Sequence, residues 1–187
     1  MQEATWSLVF KSHPYRWPVI GYEEDLKRME VRDLEDFFAR FYQPANVTIV
    51  VVGAVKAEDV FAKIKNAYSS IPGGIRPSRV LAKEPEQDEP RTLVLRDQVA
   101  SEKITVAYPS TSAKEDDTYA LDVLSNILFS GNSSRGYRRI VEEKQIALAV
   151  GGVNYTPLYG GIFMASATMK SGRSAKEFET EVESLID

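Results

Sequence analysis

His13 is the only histidine among 187 residues, and the chain has no cysteine, so chemistry that needs imidazole or thiolate has one side chain to use. A catalytic zinc site takes about three protein ligands, usually histidines with a carboxylate. One histidine without cysteine does not build it. His13 could instead act as the base for a serine nucleophile, but it stands in "SHPYRWPVIGY" (12–22), hemmed by Pro14 and Pro18, and no nucleophile-elbow pattern occurs. A role in packing or hydrogen bonding within a turn fits those neighbours better.

The other polar clusters are weaker candidates. Glu23-Glu24, Asp116-Asp117 and Glu142-Glu143 are paired acids, yet sequence neighbours point apart on a helix and suit helix starts and solvated faces rather than shared carboxylate catalysis. Arg135, Arg138 and Arg139 fall on one helical face and could grip an acidic group. Glu142 and Glu143 follow one turn later, and pairing within that face is the simpler expectation.

These residues need elements to hold them. "EATWSLVF" has the spacing of a helix end packed on a core, stopped by His13-Pro14. In "VRDLEDFFARFYQPAN", Val31, Leu34, Phe37, Phe38, Phe41 and Tyr42 fall on one helix face. "NVTIVVVGAV" is a continuous β-branched run, which predicts a buried strand central in a sheet. "KAEDVFAKIKNAYSSI" returns to helical spacing through Val60, Phe61, Ile64 and Tyr68. "PGGIRPSRVLAKEPEQDEP" then gathers proline, glycine and charge and reads as a linker, the segment expected to be most exposed.

Beyond it, "RTLVLRD" and "EKITVAYPST" have strand composition. "KEDDTYALDVLSNILFS" predicts a helix with a stripe of Tyr119, Ala120, Val123, Leu124, Ile127 and Leu128, and "SSRGYRRIVEEKQ" a more polar helix. "ALAVGGVNYTP" and "YGGIFMASATMK" predict a hairpin turned at "PLYGG". "SAKEFETEVESLID" closes as an amphipathic helix with Phe178, Val182, Leu185 and Ile186 inward.

Composition sets the limits. With 43% hydrophobic and 27% charged residues the chain is of ordinary globular type. A net charge of −4 gives no basic field for phosphate backbones, which argues against a ferredoxin-like nucleic-acid binder. No apolar run approaches the ~20 residues of a membrane-spanning helix. The absence of cysteine is compatible with reducing and oxidising compartments alike.

Three ordered blocks carry a resemblance. "HPYRWPVIG", "VRDLEDFFARFYQPANVTIVVVGAV" and "SGNSSRGYRRIVEEKQIALAV" together resemble the pitrilysin/insulinase family of zinc peptidases, which includes the mitochondrial processing peptidase. The likeness spans essentially the whole chain. The family's inverted zinc motif, His-x-x-Glu-His, is missing, so the resemblance is to the segment called the inactive or C-terminal domain. It implies an α+β fold of antiparallel-rich sheets with helices on one face, in the two-repeat processing-peptidase architecture. Residues 1–72 would end a first repeat, 73–90 would link, and 91–187 would form most of a second. His13 would then mark a structural turn.

Many members carry an arginine and a tyrosine seven residues apart that orient substrate at the zinc site of the facing half. Val141 and Leu148 stand at the matching positions here, and neither can donate a hydrogen bond. A one-residue slip of the alignment would bring Arg139 or Tyr137 nearer that role. The resemblance thus implies no catalytic or metal-binding residue in this chain, and a chamber or interface role for Arg135, Tyr137, Arg138, Val141 and Leu148. Zinc would reside in the full-length protein or its partner. The implied partners are an upstream zinc-binding domain, a homologous second subunit or half, and a peptide substrate, in a bacterial periplasm, cell envelope or cytoplasm. The alternative is a non-catalytic scaffold like the core proteins of respiratory complexes.

Overall fold

The computed structural model describes residues 1–78 and 81–186; positions 79 and 80 of the expected 73–90 linker, and position 187, lie outside the described residues. Contacts divide the chain into one unit of residues 1–17 with 83–187 and another of residues 18–82.

The first unit is built on β1 (Lys103–Ser110), β2 (Ala147–Tyr155) and β3 (Gly161–Met169). They form an antiparallel sheet in the order β1-β3-β2. The expected hairpin is β2–β3, and β1 closes on the far side of β3 in register Lys103 to Thr168. Alternation along β3 decides which helices go where, because successive side chains point to opposite faces. Phe163, Ala165, Ala167 and Met169 face α5 (Asp117–Phe129), a π-helix (Tyr137–Glu143) and α6 (Ala175–Ile186), burying Leu128, Phe129, Ile140, Phe178 and Val182. Ile162 and Met164 face the other way, onto Val9 and Phe10 at the end of α1 (Gln2–Val9). The fold is α+β, and in this unit α5, the π-helix and α6 lie on one sheet face while α1, with Tyr15 beyond it, lies on the other.

Phe129 explains two glycines in this core. A Cβ on Gly152 of β2 would stand 2.6 Å from the Phe129 ring, and one on Gly136, just before the π-helix, 2.9 Å from it. The ring comes so close to both backbones that only glycine leaves room for it. At the start of α6, Ser174 and Glu177 cap each other's backbone N–H groups, at 3.3 and 2.7 Å.

The second unit holds α2 (Glu23–Arg28), α3 (Val31–Phe41) and α4 (Ala57–Tyr68). Helix α3 forms where its spacing predicts and carries a capping box between Glu30 and Asp33. Its apolar face is not covered: Val31, Leu34, Phe37 and Phe38 are all exposed, and no described residue from 18 to 82 is buried. The run Val47–Val52 forms no strand, and Val52 is 92% exposed. This corrects the expectation of a central buried strand. A strand is a pairing of backbones, and β-branched composition supplies propensity but no partner. The segment 91–97 is likewise without a ladder, with Leu93, Val94 and Leu95 exposed.

Candidate functional site

The stretch from Ser134 to Val150 contains every residue singled out for a chamber or interface role. Ser134 Oγ accepts the N–H of Tyr137 at 3.2 Å and starts the turn. From Tyr137 to Glu143 the chain winds as a π-helix, with the Lys144 N–H reaching the Arg139 carbonyl at 3.0 Å. Such winding is rare and widens the turn, so residues three and four apart no longer stack as on an α-helix. Gln145 then adopts φ 50°, the only non-glycine described with a left-handed backbone, and the chain turns into β2.

The structure scatters the candidates. Arg135 and Arg138 are exposed, while Tyr137 and Val141 are half-buried on the π-helix. Leu148 is 56% exposed, at the register shift between Ala147 and Ala149 where β2 bulges. A bulge re-aims its extra side chain, but at Leu148 that side chain is a hydrocarbon. Neither Val141 nor Leu148 offers a proton or a charge.

Arg139 departs from the self-paired face expected of the three arginines. Its Nε donates to Glu181 Oε2 of α6 at 2.6 Å and its Nη2 to Ser184 Oγ at 3.0 Å. Lys144 donates to the other Glu181 oxygen. Arg139 thus reaches from the π-helix to α6. Burial works to raise the Glu181 carboxyl, but the hydrogen bonds from Lys144 and Arg139 and their charges outweigh it and hold the group below its ordinary value. The sequence held one signal for this contact: Glu181 falls between Phe178 and Val182 on the inward stripe of α6, where a lone acid needs a cation.

A shallow hollow beside this cluster is lined by Lys144, Ile146, Arg173, Lys176, Glu177 and Glu181. Its cations are engaged. Arg173 donates to Glu177 at 2.9 Å and to the Lys144 carbonyl at 3.0 Å, and Lys176 pairs with Glu179 at 2.9 Å. The hollow offers no unpaired charge to an anionic ligand.

His13 sits far from such chemistry in its bonding. Its Nδ1 accepts the Tyr15 N–H at 3.2 Å and so caps the 3₁₀ turn Pro14–Arg16. Phe10, Tyr15 and Tyr159 surround the ring, with centroids at 5.8, 4.3 and 6.1 Å. Nε2 is buried without a hydrogen-bond partner. An accessible ligand position is what a metal would need there, and among the described residues no three His, Cys, Asp or Glu side chains gather to hold one. The residues present do not fit zinc.

Sequence reasoning also missed a polar knot around Asn154 of β2. Ser110 Oγ donates to its Oδ1 at 2.6 Å, and its Nδ2 donates to Asp122 Oδ1 at 2.9 Å. This ties β1, β2 and α5 together through side chains that look unrelated in the sequence.

Comparison with known proteins identifies the family and the fold. The family profile described as the peptidase M16 inactive domain matches residues 28–187. The zinc protease PqqE of Helicobacter pylori is 30% identical over 179 residues, covering 94% of this chain and 40% of that protein. A crystal structure of a protease from Helicobacter pylori superposes with TM-score 0.82 at 30% identity, over 95% of this chain and 44% of that one. A peptidase M16 inactive domain from Pseudomonas fluorescens shares the fold, with TM-score 0.78 at 20% identity over 99% of this chain and 44% of that one. The chain thus spans less than half the length of these relatives.

Proposed function

This chain belongs to the peptidase M16 family as its inactive domain, and from that premise we propose that it is the non-catalytic part of a zinc-dependent endopeptidase. It forms substrate-chamber wall and the contact between halves, while an upstream zinc domain or a homologous partner hydrolyses the peptide. Along the chain, residues 1–72 would end one repeat of the architecture, 73–90 connect, and 91–187 make most of the next, with residues 1–17 packed in the same unit as the latter. The observation that carries this reading is the inactive-domain match over residues 28–187, and the resemblance, by setting the hydrocarbon side chains of Val141 and Leu148 at the positions of the family's substrate-orienting pair, supports it.

The working parts then lie outside the chain. A zinc ion supplied by the other half would activate water for attack on the peptide carbonyl. Arg135, Tyr137 and Arg138 would line the wall facing substrate or the neighbouring half. The test is reconstitution: the complete reading frame, alone and with any homologous neighbour, is assayed for zinc content and peptide cleavage beside residues 1–187 alone. Zinc and cleavage should accompany only the larger assembly. A complete protein without zinc or cleavage, with or without its neighbour, would sink the peptidase reading.

A further inference from the structure

The segment 83–91, "KEPEQDEPR", has no regular structure, and its residues are exposed except for two, Glu84 and Arg91. Those two carry the segment's hydrogen bonds to residues 8–13 among the described residues, and each meets the opposite polarity. Glu84 accepts three successive backbone N–H groups: Lys11 at 2.6 Å on one oxygen, Ser12 and His13 at 2.8 Å on the other. Arg91 Nη1 donates to the carbonyls of Leu8 at 2.7 Å and Val9 at 3.2 Å, at the C-terminus of α1 where carbonyls lack helical partners. The receiving corner is itself braced, since Arg16 Nη1 donates to the Lys11 carbonyl at 2.7 Å and His13 caps the turn that follows.

Topology gives these bonds a use. The chain leaves this unit after Trp17 and returns to it at Lys83. Glu84 is thus the second residue after return, and it grips residues that stand four to six positions before Trp17. We propose that residues 83–91 are a two-point latch, Glu84 on the 11–13 amides and Arg91 on the 8–9 carbonyls, which pinches shut the base of the 18–82 excursion. Closed, it leaves almost no free chain on the return side. Open, it turns 83–91 into a tether that reaches roughly 30 Å when extended.

The charges favour the closed form at neutral pH. Burial works to raise the Glu84 carboxyl, but the three N–H donors and the Arg91 charge together hold it below the ordinary carboxylate range, so it stays ionised. A carboxylate bonded to several backbone amides is a strong, directional contact. Neither anchor is replaceable by bulk hydrophobicity. Glu86, Asp88 and Glu89, between the anchors, stay in solvent.

The test is amide exchange read by mass spectrometry on the 187-residue chain, with limited proteolysis of the same samples. Glu84→Gln keeps shape and loses the charge, Arg91→Gln removes the second anchor, and the double variant removes both. Each single variant should raise exchange at residues 11–13 and cleavage within 83–90 by tenfold or more, and the double should add little to either. Continued protection of the 103–169 strands shows that the unit remains folded. Equal cleavage of 83–90 in the unaltered chain and all variants would overturn the latch. So would effects that multiply in the double variant, because independent contacts multiply and a latch opens once.

Discussion

Glu181 Oε2 lies 2.6 Å from Arg139 Nε and joins α6 to the π-helix in a partly buried contact, with Lys144 on its other oxygen. The sign of its pH dependence follows from the depressed carboxyl. A group whose pKa is lower folded than unfolded stabilises the fold above the unfolded value and loses that contribution as pH falls through the folded one. Glu181→Gln should therefore lower stability at pH 7 by about 1–3 kcal/mol. Denaturant titrations of both proteins at pH 7 and pH 3 check this. The gap should narrow in acid, and an unchanged gap would mean that the ion pairs contribute nothing.

The core predicts differently. Gly152→Ala would place a methyl 2.6 Å from Phe129 and 2.8 Å from the Met164 carbonyl. Overpacking of this kind typically costs about 1–3 kcal/mol. Thermal unfolding measures it. In a Phe129→Leu background the same change should cost less, and a full penalty there would shift the blame to the Met164 carbonyl.

Much of this unit was legible because its signals are local. The β2–β3 hairpin needs only two adjacent strands and the turn "PLYGG", and α6 follows from Phe178 and Val182 recurring on one face. Val47–Val52 failed for the opposite reason, since composition states a preference for pairing and cannot provide the neighbouring strand. Stripe counting also misled at α5, where Leu124 and Leu128 turn inward but Tyr119, Val123 and Ile127 stay exposed. Glu84 and Arg91 were invisible in a linker-like sequence, as their partners are backbone groups more than 70 residues away.

That uneven legibility has an energetic counterpart. Phe178 is fully buried and Val52 is 92% exposed. Phe178→Ala should cost about 3–5 kcal/mol, whereas Val52→Lys should change stability by no more than about 0.5 kcal/mol. Chemical denaturation of the 187-residue chain compares them. A large loss from Val52→Lys would show that the run is packed in solution.

Metal binding separates the roles of chain and whole protein. The chain alone, dialysed and analysed for metal, should hold no stoichiometric zinc and cleave no peptide, because one buried histidine cannot complete a coordination shell. One tightly held zinc lost on His13→Ala would overturn the structural role of the turn.

The sharpest test concerns Val141 and Leu148. An oxyanion donor accelerates a reaction only within hydrogen-bonding reach of the developing charge, and removing one typically costs about a hundredfold or more. If the other half supplies the arginine and tyrosine, adding them here does not create a second site. Geometry argues the same way, since Leu148 rides an exposed bulge and Val141 is half-buried on the π-helix. In the reconstituted enzyme, Val141→Arg with Leu148→Tyr should leave turnover nearly unchanged, while removing the partner's own pair should abolish most of it. A gain of tenfold or more, about 1.4 kcal/mol off the barrier, would mean that this domain faces a zinc site directly and the borrowed-residue arrangement is wrong.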